Sequence, residues 1–339
     1  MESEFADSYP PTQSVDNPIK VQPHGGETPL KIILMIVGVF LWFIILMSMI
    51  GVIYALVIGI VLWFAHLRLV VHLRGSSIKL SPQQMPHLYQ RVATLSQRIG
   101  LKKVPEAYLV QSGGVLNAFA TKFVSRRFIA IYSDMVHACG DNVDALDFII
   151  GHELGHLHRG HLHWRALKAP AMIIPFIGPA YYRSCEFTCD LYGKQSCADH
   201  SKCIDGLCLL AAGPHFVSKI NSQEFVNQIK DLNSVFMKLG SWFESHPPLS
   251  RRAAALLPEL VPMEHKENLS TLGALFIAAL MIAIPLGSAV FVVPKIFETS
   301  STYAKIQSAL HKKPPVVDQT PLPPFHSIKP HNPYPFNGQ

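Results

Sequence analysis

Gly151 to Trp164 reads GHELGHLHRGHLHW, five histidines in fourteen residues. The apolar spacing from Asp141 to His163 is that of a helix, and helical residues four apart lie one turn apart on the same face. His152 and His156 therefore present two imidazoles side by side, with Glu153 next to them. This is the pattern H-E-x-x-H, and its spacing suits one metal ion. Zinc accepts such ligands without geometric preference and, in catalytic sites, keeps one position open. A carboxylate at Glu153 is placed to take a proton from water as that water attacks a peptide carbonyl.

Helical geometry also sorts the remaining histidines. His163 returns to within ~20° of the His152 face but sits ~10 Å further along the axis than His156, so it cannot share that ion. His158 and His161 are expected on the far side, as solvated or helix-end residues. Gly160 is a place for the helix to stop.

Two histidines leave a catalytic zinc one protein ligand short. Downstream, RSCEFTCD (183–190) carries Glu186 and, four residues on, Asp190, so both carboxylates share a helical face. Glu186 is the candidate third ligand. Asp190 is the candidate acceptor for the spare N–H of a ligand imidazole, fixing its tautomer.

The rest of the chain says where such a site would work. Of 339 residues 49% are hydrophobic and only 15% charged, which points to membrane segments. Residues 1–29, with five prolines and no apolar periodicity, read as a disordered tail. Ile32 to Ala65 is almost wholly apolar. As one helix it would run ~50 Å, too long for a ~30 Å hydrocarbon core, so 30–67 reads as a transmembrane hairpin turning near Ser48–Gly51. Arg68, Arg74 and Lys79 follow it, and the positive-inside rule then places the middle of the chain in the cytoplasm.

Residues 80–262 read as one mixed domain. Pro82–Ile99 is helical in character, and the strands are EAYLV (106–110), NAFATKF (117–123) and RFIAIY (127–132). The three-proline segment 169–182 is too short to span and is expected against the membrane or over a cleft. A further apolar run, 272–294, is long enough for one span. Residues 295–339 are basic and then proline-rich, and PLPP (321–324) offers a docking site for a proline-binding partner. The net charge of +6 is spread along the chain, which argues against nucleic acid. The six cysteines form no C-x-x-C pair and read as buried thiols.

Four motifs in order, NAFAT (117–121), GHELGH (151–156), R-x-x-E-F-x-x-D (183–190) and HPPLSRR (246–252), resemble the HtpX and CAAX-prenyl endopeptidase group of membrane zinc proteases. The resemblance covers about residues 82–262. It implies an α+β fold, a mostly helical zincin-type metalloprotease domain with a small sheet, plus transmembrane helices. It also implies one Zn2+ per chain held by His152, His156 and Glu186, with Glu153 as the base and His246 stabilising the developing oxyanion. Asn117, Ala118 and Phe119 would begin the strand that holds an extended protein or peptide substrate by backbone pairing. A role in membrane protein quality control, in a bacterial inner membrane, rests on the resemblance alone. HtpX itself carries two spans between the metal helix and the third ligand, where this chain has only 169–182. The alternative reading is a non-catalytic membrane scaffold. Its zinc would be structural, closed by a fourth ligand from the Cys185–Cys208 cluster, and its proline-rich tail would recruit partners.

Overall fold

Two apolar helices that break at a single serine open the computed structural model, which describes residues 17–111, 113–261, 273–277, 279, 280, 283, 287, 305 and 308. The chain divides into two units, Met1–Ala278 and Ala279–Gln339, and the first holds both apolar helices and the folded domain. The run 272–294 and the tail 295–339, expected as a span and a disordered segment, lie outside the described residues apart from those isolated positions, as do residues 1–16.

Helix α1 spans Glu27–Met47 and α2 spans Met49–Ser76. Ser48 is extended (φ −97°, ψ 114°), and its hydroxyl accepts from the Gly51 N–H, so it starts α2 as it ends α1. Both helices are long and apolar enough to cross a membrane. Their large apolar residues from Ile32 to Phe64 are mostly exposed, which suits lipid rather than water. At 1.5 Å per residue α1 is about 31 Å long and α2 about 42 Å. The surplus in α2 packs on the domain, where Val70 and Leu73 are buried against Tyr108, Val110, Phe128 and Ala130.

The domain then runs β1 (Ile78–Lys79), α3 (Pro86–Ile99), β2 (Glu106–Val110), β3 (Ala118–Phe123), β4 (Arg126–Tyr132), α4 (Ser133–Cys139), α5 (Val143–Arg159), α6 (Arg165–Met172), α7 (Ile177–Ser196), α8 (Cys203–Ala212), α9 (Ser222–Asn227), α10 (Val235–Phe243) and α11 (Leu249–Leu256). The expected α+β class holds: the chain is mostly helical, with one small sheet. Its strand order is β1-β2-β4-β3, with β2 and β4 parallel and β3 antiparallel to β4, so β3 is an edge. Ala118 and Ala120 on β3 face the core around α5, while Phe119 and Phe123 pack toward the end of α2. That is the two-residue alternation of a strand.

Helix α5 lies at the centre of this core. Asn142 caps it through an N–H bond from Ala145, and Leu146, Phe148, Ile150, Leu154 and Leu157 are all buried. It meets α7 through small residues. A Cβ on Gly151 would strike the side chain of Ser196, one on Gly155 would press on Tyr192, and one on Gly193 would strike Phe148. Close approach of two backbones requires such positions.

One reading of the sequence needs correction, and two gain detail. The tail does not extend to residue 29 as an unstructured stretch, because Ile19 is in the core and Glu27 is buried at the start of α1. The two hairpin helices run from 27 to 76 and contain the expected 30–67 hairpin. Segment 169–182 is the end of α6, a bend, and the start of α7. Its Ala171 and Tyr181 close over Leu34 of α1, where the Gly38 backbone also meets Leu167. That seam, with Trp42 Nε1 donating to the Ala166 carbonyl at 3.0 Å, ties the first apolar helix to the domain.

Candidate metal centre

The last two turns of α5 carry the histidines and the middle of α7 carries the carboxylates. His152 Nε2 and His156 Nε2 lie 3.3 Å apart. Glu186 reaches both: its Oε2 is 3.4 Å from His152 Nε2, and its Oε1 is 3.3 Å from His156 Nε2. These three side chains converge closely enough to hold one metal ion. The glycine contacts between α5 and α7 make this possible, since they set the distance across which Glu186 must reach. Gly151→Val should force the two helices apart, with overpacking costing about 1–3 kcal/mol. Thermal unfolding should register that loss, and zinc stoichiometry should fall with it.

Behind His152 stands Asp190, whose Oδ1 is 2.9 Å from His152 Nδ1. Asp190 is gripped in turn by Arg252 of α11, through Nε to Oδ2 at 2.8 Å and Nη2 to Oδ1 at 2.5 Å. Arg252 Nη1 also lies 3.6 Å from Glu186 Oε2. Burial opposes charge on His152, yet Asp190 and Glu186 overcome it and push the imidazole pKa up to about 10. Burial likewise opposes the charge on the two carboxylates. The histidines hold Glu186 well below its ordinary range, and Arg252 with His152 lowers Asp190. The two carboxylates thus favour positive charge at the His152 ring, where a cation could take the place of its proton. Two imidazole nitrogens and a carboxylate are also a donor set that zinc takes, so the residues fit the metal.

Glu153 is half-buried beside this cluster. Desolvation raises its carboxyl pKa, countered in part by His152 and His156 and by a hydrogen bond from the Ala120 backbone of β3. The edge strand and the acid are therefore neighbours. Asn117 precedes β3 and is exposed, Ala118 is buried and Phe119 is half-buried, its ring edge-on to Tyr132 at 6.1 Å. His246 is 69% exposed, with Nε2 3.7 Å from Glu186 Oε1 and Nδ1 3.0 Å from Ser245 Oγ.

His158 and His163 stay out of this cluster: His158 packs by Tyr192, and His163 folds back on Gly160. His161 departs from its expected place on the far side. Gly160 takes the left-handed conformation (φ 69°) and ends the helix. The chain reverses there, and His161 is buried with its Nδ1 3.1 Å from His156 Nδ1. Burial pushes the His161 pKa down to about 4, so it is a neutral imidazole. Its neighbours are Glu27, whose Oε1 is 3.2 Å from Nε2, and Cys189, whose Sγ is 3.6 Å from Nδ1. The six cysteines are all buried, and none joins the His152–His156–Glu186 group among the described residues. Burial beside Glu186 and Cys185 raises the Cys189 thiol well above its usual value, which keeps it protonated.

Sequence reasoning thus missed Arg252, His161 and Glu27. Arg252 stands inside HPPLSRR, where an arginine beside a candidate oxyanion residue was a usable signal. Glu27, an acid at the mouth of a long apolar run, was another.

The model of Peptidase family M48 matches residues 82–177 of the chain. That stretch holds the three longer strands and the whole of α5, and it stops before Glu186. No curated protein and no solved structure matches the chain.

Proposed function

Because residues 82–177 match the model of peptidase family M48, we propose a membrane-anchored zinc endopeptidase with one Zn2+ held by His152, His156 and Glu186. The observation that carries this reading is the convergence of two Nε2 atoms and one carboxylate at 3.3–3.4 Å, beside a glutamate that also touches an edge strand. When bound, zinc supplies a Lewis acid that polarises a carbonyl and makes water acidic enough to attack it near neutral pH.

The protein's own residues do the rest. The free edge of β3, entered at Asn117, Ala118 and Phe119, pairs with an extended substrate backbone and lays the scissile bond across the cluster. Glu153 takes the proton of the attacking water and passes it to the departing amine, so that one peptide bond and one water become a carboxylic acid and an amine. Its desolvated carboxyl is a stronger base than a free glutamate. His246, exposed at the rim, turns its Nε2 toward the oxygen that gains negative charge. Asp190 holds His152 in the tautomer that leaves Nε2 free for metal.

Two apolar helices anchor the domain, so substrates lie in or near a bilayer, and a role in removing damaged membrane proteins is consistent with that position. Arg68, Arg74 and Lys79 favour a cytoplasmic face, in a bacterial inner membrane. PLPP (321–324) is the candidate docking sequence for a proline-binding partner. A structural zinc would draw on Cys189, which with His156 and His161 forms a second group close enough to hold an ion; the catalytic reading is preferred because Glu186 reaches both His152 and His156.

The test uses full-length protein in detergent with a casein-like substrate. A chelator should abolish cleavage and stoichiometric zinc should restore it, while Glu186→Gln should lose bound zinc together with activity. Cleavage that survives complete metal removal would refute the assignment.

A further inference from the structure

We propose that Glu27 and His161 are positioning residues for His156, forming a line from Glu27 Oε1 through the His161 ring to His156 Nδ1. The inference rests on the reading of His156 as a metal ligand. Each ligand imidazole directs Nε2 at the centre and leaves Nδ1 to be held from behind. His152 has a carboxylate for this purpose, Asp190, at 2.9 Å. At His156 Nδ1 no carboxylate takes that place among the described residues, and the Nδ1 of His161 lies there instead at 3.1 Å.

Two ring nitrogens at that distance bond only when one carries hydrogen and the other does not. A histidine that ligates through Nε2 keeps its proton on Nδ1, so His156 must donate and His161 must accept. With His161 Nδ1 accepting, the ring's hydrogen is on Nε2. That atom makes no straight hydrogen bond, and its near neighbour is Glu27 Oε1 at 3.2 Å, a bent contact. Glu27 can only accept when ionised. It is itself fixed by Arg159, with Nε at 3.0 Å and Nη2 at 2.8 Å, and by Thr188 Oγ1 at 2.5 Å. Each proton along the line has one place to be. Glu27 thus does for His156, at one remove, what Asp190 does for His152. The partner of a ligand imidazole sets its tautomer and basicity, and losing it commonly weakens metal binding 10–100-fold.

The competing account is purely architectural: Glu27 binds Arg159 and Thr188 and only anchors the start of α1. Zinc affinity separates the two, measured by competition with a chelator of known affinity on full-length protein in detergent. His161→Phe and Glu27→Leu should each weaken zinc by about tenfold or more, and the double substitution should be no worse than His161→Phe alone. His161→Gln keeps an acceptor for His156 and a donor for Glu27, so it should recover much of the loss. Arg159→Gln loosens the anchor but leaves the line in place. It should lower the thermal unfolding midpoint while zinc affinity stays within about twofold.

Wild-type affinity in His161→Phe, or additive losses in the double substitution, would overturn the proposal while leaving the metal site standing. A wild-type protein that binds no zinc, or one indifferent to Glu186→Gln, would overturn both. Should His161→Phe fail to fold, the comparison of His161→Gln with Glu27→Leu decides. Equal loss in both, matched by Arg159→Gln, would assign Glu27 to anchoring alone.

Discussion

Glu153→Gln is expected to leave zinc content and fold unchanged while peptide-bond hydrolysis falls by about 10²–10⁴-fold, the range that one general base supplies. A thousandfold loss corresponds to about 4 kcal/mol of transition-state stabilisation. Glu153 is not among the three side chains that converge on the metal position, so its amide should not disturb them. An amide is nearly the same size and can still accept from the Ala120 backbone, but it cannot take a proton. The loss should therefore appear in kcat, with KM little altered, because the β3 edge proposed to pair with substrate is untouched. Zinc per chain and casein cleavage are measured on the same preparation. Retention of cleavage within tenfold would remove Glu153 from the mechanism, and loss of zinc would show that its carboxylate helps to hold the ion.

The second large effect is on stability. Arg252→Leu should destabilise the metal-free domain by about 3–5 kcal/mol, the penalty for leaving one partner of a buried ion pair uncompensated. Arg252 is buried, with two hydrogen bonds to Asp190 and a third contact toward Glu186. Without it, two buried carboxylates face each other with only histidines to answer them. Arg252→Lys keeps the charge but loses the two-pronged geometry, so it should cost less. Adding Asp190→Asn to Arg252→Leu should recover part of the loss, since the charge left behind is then removed as well. Zinc should restore more stability to Arg252→Leu than to wild type, because a divalent cation replaces the missing positive charge. Denaturant unfolding in detergent, with and without zinc, measures all four quantities. Equal stability of Arg252→Leu and wild type without metal would contradict this account.

Much of the domain was legible in local pattern. The strand at Glu106–Val110 has the ends that its alternation suggests, and β3 and β4 differ from their expected ends by one residue each. Helix α5 was readable from its apolar face, and its histidines follow from the 3.6-residue turn. The Glu186–Asp190 pair was found by the same rule, four residues apart on α7. Ser48 falls inside the expected turn because a serine between two apolar runs caps the second as it ends the first.

The failures share one cause. His161 was assigned by continuing the helix past Gly160, whereas the left-handed glycine ends the periodic rule and starts a different direction. Glu27 sat in a proline-rich stretch whose composition resembles disorder, yet this residue is buried by Arg159, His161 and Thr188, partners more than 130 residues away. Arg252 was visible in a motif, but its grip on Asp190 across 62 residues was not.

Sequence alone thus determined that His152 and His156 share one helical face, that Glu186 and Asp190 share another, and that two runs are apolar enough to cross a membrane. Each of those depends on spacing within a segment, and helical and strand geometry turn spacing directly into direction. Only the tertiary structure decided how close α5 and α7 approach, and which distant side chains lie against the two imidazoles. Those depend on glycines that admit a neighbouring backbone and on buried charges that must find partners wherever the chain brings them.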